Sequence, residues 1–430
     1  MAYNPKAQYA IHTGKMENVL PALEGKFHAV LCDPPYGISF MGKEWDIAQG
    51  PAEFQARVNA WGNAILPLLY PGALVFMFGG TRMWHRLAAG MEDAGFEMWD
   101  TLMWLHGQGF PKGMDISKLI DKNNGDVREV ISYDATRARP NREVTNYEGG
   151  NHKDNGATIT AAASSESEPW SGRKTPSLKP SWEPVLCFRA PAQGRTYAEL
   201  AQMFGSGALN IDGGRIGYTS AADAANNQTR PNRESKDEDS KDFPSRRTWN
   251  EWEGGKGRYP ANLALDEVSA ALLDEQSGCS TSPIAVTRGG NRAMDFGMGR
   301  QNNVPCFGDS GGASRFFYCA KASSSERNGG LENNNHPTVK PIDLCTWLAT
   351  LLLPPSSVGQ RRILVPFSGS GSEMIGCLGA GWDEVVGVEL DAYYCNIARA
   401  RIKYHNGLLS ADGVRPPAPA KEAAQPGLFS

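Results

Sequence analysis

Apolar positions fall into two blocks that share one rhythm, separated by a long stretch in which the rhythm fades. Between Tyr9 and Leu119 the strand-like runs "QYAIHTG", "FHAVLC", "GALVFMF" and "FEMWDTLMWL" alternate with the helical patterns "EFQARVNAWGNAILPLL" and "RMWHRLAAGMEDAG". From Pro341 to Tyr404 the alternation returns as helix "PIDLCTWLATLL", strand "RRILVPF", helix "SEMIGCLGAG", strand "EVVGVEL" and helix "AYYCNIARARIKY". Strands alternating with helices of these lengths predict an α/β fold with a largely parallel sheet. Neither block supplies a complete sheet, so the pattern predicts that the two join in space.

Between the blocks, Gly, Asn, Ser, Arg and Glu accumulate, notably in "SSESEPWSGRKTPS" and "NNQTRPNRESKDEDSKD", which read as loop or disorder. The islands "SWEPVLCFRAP", "GALNIDGGRIGY", "GRYPANLALDEVSAALL" and "SRFFYCAKA" keep an ordered pattern, so an irregular subdomain is expected there. Beyond the second block, from about Leu408, comes an Ala/Pro-rich segment of flexible-tail composition. The expected organisation is therefore a first core half over 1–120, an insert over 121–335, a second core half over 336–406 and a tail over 407–430.

Composition changes this picture little. With 430 residues and 40% hydrophobic content the chain can bury a sizeable core. A formal charge of −4 means that any nucleic-acid partner must be held by a local basic face. The eight cysteines are scattered singly, with no C-x-x-C pair and no paired His to make a zinc site, and read as reduced buried thiols. "MAYNPKAQYAIHTGKM" has no apolar signal core, and no window approaches the roughly 20 apolar residues of a membrane span. A cytoplasmic, metal-free protein without membrane contact is expected.

Candidate chemistry gathers at three loops. In "VLCDPPYGISF" an apolar run ends in Asp33-Pro34-Pro35-Tyr36. Two prolines lock the backbone at a strand's carboxyl end. Asp33 and the Pro34 carbonyl can then accept the N–H bonds of a planar amine while Tyr36 stacks on the attached ring. Such acceptors stabilise the charge that develops when the amine attacks. In "VPFSGSGSEMIG" a strand passes through Gly369 and Gly371 into a helix, and Glu389 ends the next strand. Glycines allow close backbone approach, and a carboxylate one strand over can accept from ribose hydroxyls. A dinucleotide dehydrogenase would share that loop but gain nothing from Asp-Pro-Pro-Tyr. The third loop, "NNNHPTVKPIDL", puts Thr338 and Lys340 at a helix start, where they can bind a carboxylate.

"DPPYG", "HPTVKP" and "VPFSGSGS", in that order, resemble the motifs of the β-class amino-group DNA methyltransferases of bacteria and phages, AdoMet-dependent enzymes acting on adenine N6 or cytosine N4. The resemblance implies a circularly permuted Rossmann-like sheet with an inserted target-recognition region. It implies that Phe367, Ser368, Gly369, Ser370, Gly371 and Glu389 contact AdoMet, with Thr338 and Lys340 near its methionine end. By the same likeness Asp33, Pro34, Pro35 and Tyr36 hold a base flipped out of double-stranded DNA. Adenine is expected over cytosine, because the family's cytosine members mostly begin this motif with Ser. The sequence departs from the family at Val365, where Asp is usual, and at Lys15, where Asp usually follows Gly14.

Methylation of RNA and a catalytically dead DNA-binding homologue remain alternatives. Basic and aromatic residues interleave in "FPSRRTWNEWEGGKGRY" and "SRFFYCAKASSSER", which suits DNA recognition. Lys43 and Trp45 of "MGKEWD" stand where they can touch an extruded base. In the tail, Gln425, Leu428 and Phe429 of "AAQPGLFS" resemble a peptide that docks on the replication sliding clamp, which would tie the protein to the nucleoid.

Overall fold

The computed structural model describes residues 7–38, 46, 50–107, 109, 113–133, 158–218, 257–281, 310–320, 328–329, 331, 334 and 339–407. The chain divides into two compact units, Met1–Gly107 with Trp182–Ser430, and Gln108–Ser181. In the first, nine strands form one sheet: β1 (Gln8–Thr13), β2 (Phe27–Cys32), β3 (Leu69–Phe78), β4 (Glu97–Leu105), β5 (Trp182–Arg189), β6 (Leu263–Asp266), β7 (Tyr318–Ala320), β8 (Arg362–Pro366) and β9 (Glu384–Glu389). Their order across the sheet is β1-β9-β8-β2-β3-β5-β4-β6-β7.

Neighbouring strands are parallel except at β5, which runs antiparallel to both β3 and β4. The largely parallel α/β sheet is thus present, and the two sequence blocks do join. They meet at the β2–β8 seam, where Ala29 faces Ile363 and Val30 faces Leu364, and again where β1 pairs with β9. The islands "SWEPVLCFRAP", "GRYPANLALDEVSAALL" and "SRFFYCAKA" supply β5, β6 and β7, so part of the 121–335 stretch belongs to the sheet itself.

Period-two alternation sends side chains to opposite faces of the strands. Val30 and Cys32 of β2, Val75 and Met77 of β3, and Leu364 of β8 pack with helices α1 (Pro51–Ile65) and α2 (Trp84–Asp93) through Phe54, Val58, Trp61, Leu87 and Met91. Ala29, Leu31, Phe76, Phe78, Ile363 and Val365 pack on the other face with α3 (Ile342–Leu352), α4 (Ser372–Ala380) and α5 (Ala392–His405). β2 is buried along its whole length, as expected for a parallel strand covered on both faces. The helix expected to run to Leu69 ends at Ile65, and Leu66–Leu68 tighten into a 3-10 turn around Pro67, which has no N–H to continue the helical ladder.

This order creates a switch point. From β8 the chain's strands proceed outward through β9 and β1 on one side, and through β2 and β3 on the other. The loops leaving β8 and β2 therefore diverge and open a crevice at the strands' carboxyl ends, the usual ligand position in open α/β sheets. Below it α3 and α4 touch backbone to backbone. A Cβ added at Gly376 would lie 2.6 Å from the Cys345 carbonyl carbon and 2.8 Å from the Thr346 nitrogen.

The second unit contains helix Ile116–Asn124, begun by the Asp115 carboxylate accepting from the Lys118 N–H and ended by Gly125 in the left-handed conformation. Asp121, fully buried on that helix, pairs with Arg128 and accepts from the Ala163 N–H (3.1 Å) and the Ser164 hydroxyl (2.9 Å). No helix among the described residues is long and apolar enough to cross a membrane.

Gly376→Val is expected to lower stability by about 2–3 kcal/mol, the overpacking cost plus lost helix contact. Urea unfolding monitored by circular dichroism checks this; an unchanged midpoint would mean that α3 and α4 separate without penalty.

Candidate active site

Asp33 follows the last residue of β2, and its side chain is drawn to one point by two neighbours. The Tyr36 hydroxyl donates to Asp33 Oδ1 at 2.7 Å, and the Lys340 ammonium donates to Oδ2 at 2.6 Å. The turn beyond is pinned by Asp46, a buried carboxylate that accepts from the Gly37 N–H (2.6 Å) and the Ile38 N–H (3.2 Å). Tyr36 lies over Gly80, just beyond β3, where any Cβ would come within 2.9 Å of the ring. Glycine is required there for the aromatic to seat. Burial, reinforced by the charges of Asp33 and Glu183, pushes the Tyr36 hydroxyl well above the ordinary tyrosine range, so it stays a donor.

Lys340 immediately precedes the cap of α3 and is only 5% exposed. Besides Asp33 it reaches Glu183 Oε2 at 3.1 Å and Tyr36 Oη at 3.2 Å, and it lies 4.8 Å from the centre of the Phe78 ring. Burial works against its charge, but Asp33 and Glu183 outweigh that and hold the ammonium well above the ordinary lysine range. The family likeness assigns Lys340 to the methionine end of AdoMet; here its ammonium stands on the Asp-Pro-Pro-Tyr motif. Thr338 lies outside the described residues, as do Lys43, Trp45, Gln425, Leu428, Phe429 and most of the two basic-aromatic segments.

One strand over, β8 runs into the glycine loop. Phe367 takes φ +83°, a conformation strained for any residue but glycine, and its ring packs edge-on against Trp61 of α1 at 4.8 Å. The Phe367 and Ser368 N–H groups donate to the Val388 carbonyl, which folds the loop back over β9. Gly369 N–H then donates to Glu389 Oε2 at 2.8 Å, while Glu389 Oε1 accepts from the Asp391 N–H at 2.9 Å. Burial raises the Glu389 carboxyl above its ordinary range, against the pull of these N–H groups. Under the loop lies Arg401 of α5, fully buried, whose Nη1 donates to the Ser370 carbonyl (2.7 Å), the Ser370 hydroxyl (3.0 Å) and the Ser372 hydroxyl (3.1 Å).

The structure thus brings Asp33 to Tyr36, Lys340, Phe367 to Gly371, and Glu389 to the carboxyl ends of three adjacent strands. Val365, one of the two departures, is a fully buried apolar residue on the α3/α4 face. Lys15, the other, caps the short turn after β1 without a side-chain hydrogen bond. Four participants escaped sequence reasoning. Asp46 ends the segment "MGKEWD", in which only Lys43 and Trp45 were singled out, Glu183 is an isolated acid far from any motif, and Arg401 sits inside the unremarkable pattern "ARARIKY". Glu373, in the first turn of α4, is the fourth: burial, with Asp33 nearby, lifts its carboxyl to about 7. A glutamate directly after a glycine loop was its signal.

The family model described as DNA methylase, of the N6/N4 type, matches residues 27–400. Among curated proteins the chain is 23% identical over 209 residues to the type II methyltransferase M.HindIII of Haemophilus influenzae, across 40% of this chain and 55% of that one. The chain therefore spans about half the length of the curated relative it matches. Among solved structures it is similar to the cytosine-N4-specific PvuII DNA methyltransferase, at 10% identity and TM-score 0.43 over 95% of this chain and 94% of the other. The M1.HpyAVI–SAM complex aligns at 12% identity and TM-score 0.38 over 92% and 100%.

Glu373 generates a pH prediction. Its folded-state carboxyl, near 7, exceeds the ordinary 4.5, so the folded state binds its proton more tightly than the unfolded chain. The stability this gives is complete below 4.5 and lost as pH rises toward 7. Glu373→Gln should therefore raise the thermal midpoint relative to wild type at pH 8, with the difference disappearing below pH 4.5. Equal midpoint differences at both pH values, read by calorimetry, would contradict it.

Proposed function

The chain belongs to the N6/N4 DNA methylase family, and from that premise we propose that it moves a methyl group from AdoMet to the exocyclic N6 amino group of adenine in double-stranded DNA. The observation that carries this reading is the convergence of Asp33-Pro34-Pro35-Tyr36 with the Phe367–Gly371 loop and Glu389 at neighbouring strand ends. The adenine choice rests on Asp33 at the head of the motif; cytosine N4 would use the same residues.

The residues suit a nucleoside cofactor. Glu389 presents a carboxylate that Gly369 and Asp391 already orient, and ribose hydroxyls can donate to its remaining acceptor sites. Ser368 Oγ is buried with no hydrogen-bond partner among the described residues, a polar atom with capacity for a ligand. Bound there, AdoMet supplies a methyl group on positively charged sulfur, which an amine can attack directly.

In this reading Asp33 and the Pro34 carbonyl accept the amine's N–H bonds. They bias its nitrogen toward a pyramidal, nucleophilic shape and stabilise the positive charge it acquires. Asp33 then takes the proton that the nitrogen sheds. Tyr36 stacks on the base, repaying about 1–3 kcal/mol of the few kcal/mol that extrusion from the duplex costs. The paired prolines hold these acceptors still, so the transfer is served by geometry rather than by a covalent enzyme intermediate. The Gln425, Leu428 and Phe429 peptide is retained as the proposed contact with a sliding clamp, by its likeness to clamp-binding peptides.

Nucleoside mass spectrometry of plasmid DNA from a methylation-free host tests the reaction. Wild-type protein should yield N6-methyldeoxyadenosine, and Asp33→Ala should reduce it by about 100-fold or more. N4-methyldeoxycytidine instead would reassign the base, and no methylated base from soluble protein would overturn the reading. A tail peptide should bind purified clamp, and the Leu428→Ala, Phe429→Ala peptide should not; equal binding would remove the clamp as partner.

A further inference from the structure

Glu183 is the second residue of β5, in the island "SWEPVLCFRAP", and no part of the proposed chemistry uses it. Yet it is the second carboxylate on Lys340. An ammonium has three N–H donors, and here three acceptors surround it: Asp33 Oδ2 at 2.6 Å, Glu183 Oε2 at 3.1 Å and Tyr36 Oη at 3.2 Å. Tyr36 has one proton to give. At 2.7 Å it goes to Asp33 Oδ1 rather than to Glu183 Oε2, 3.3 Å away, so the ammonium is the strong partner available to Glu183 in this cluster.

The two oxygens of Asp33 offer about four acceptor sites. Lys340 takes one on Oδ2 and Tyr36 one on Oδ1, which leaves capacity on both oxygens for an amine. Two carboxylates facing one ammonium also leave the cluster one net negative charge beside the position where positive charge must build. If Glu183 were neutral, the ammonium would have a single anionic partner. That ammonium, already 2.6 Å from Asp33 Oδ2, would then offset the Asp33 charge alone and compete with the amine for it.

We propose that Glu183 is a positioning residue for the methyl transfer, an inference that rests on the reading above: by sharing Lys340 it leaves the charge on Asp33 only partly offset and the carboxylate open to the target amine. Glu183 touches neither reacting atom; it acts through Lys340. Strand pairing places Glu183 here: β5 runs antiparallel between β3 and β4, Glu183 faces Trp104 of β4, and Val185 pairs with Phe78 at the end of β3.

Steady-state kinetics on the full chain, with AdoMet and plasmid DNA, test this. Glu183→Gln, nearly isosteric, should lower kcat by about 10- to 100-fold while KM for AdoMet and for DNA stay within about twofold. Glu183→Asp, which keeps the charge, should recover part of the loss and serves if the glutamine variant folds poorly. Because Glu183 acts through Lys340, adding Glu183→Gln to Lys340→Met should cost little beyond Lys340→Met alone. An unchanged kcat in Glu183→Gln, a loss confined to KM, or full additivity with Lys340→Met would overturn the positioning role while wild-type activity left the transfer reading standing. An inactive wild type would overturn the transfer reading and this inference together.

Discussion

Everything at the site depends on the parallel seam between β2 and β8. His28 Nδ1 accepts the Arg362 N–H at 3.1 Å across 334 residues of chain, and the ladder continues through Ala29 and Val30 against Ile363 and Leu364. Burial holds the imidazole down, at about 4, so His28 stays neutral and keeps its acceptor nitrogen for this bond. Because the strands are parallel, both leave the sheet at the same edge. Asp33 and Phe367 then emerge side by side, with no further device needed to bring them together.

Two buried cations stiffen what the seam brings together. Lys340 ties the start of α3 to the Asp-Pro-Pro-Tyr turn, and Arg401 ties α5 to the glycine loop. Removing one partner of the buried Lys340–Asp33 pair typically costs about 3–5 kcal/mol, because the other charge is left uncompensated, while Arg401 acts through hydrogen bonds to Ser370 and Ser372. Each cation therefore penalises loop positions other than the one seen. Gly376 adds a third constraint, since it lets α4, which follows the glycine loop, lie in backbone contact with α3, which Lys340 precedes.

The strands and helices of both blocks were legible because each buries one or two faces, and burial leaves a period of two or 3.6 in the sequence. The motif loops were legible because proline and glycine at fixed positions restrict the backbone in ways few other residues can. The positions of Glu183 and Asp46 were not. A single acid carries no periodicity, and its meaning comes from a partner 157 residues away for Glu183 and Lys340, a distance that only the tertiary fold closes. The same holds for β6 and β7: each is short and set among polar sequence, and only pairing with β4 and with one another makes them sheet.

The seam also has a consequence for how the protein is made. A ribosome delivers β2 and β3 long before β8, and at ordinary synthesis rates the interval is on the order of tens of seconds. Throughout it, one edge of β2, apolar on both faces, has no strand beside it. The cell must therefore shelter a half-built sheet whose missing neighbour is still untranslated, and the nascent chain's hazard lies along the strand whose carboxyl end carries Asp33 in the finished protein.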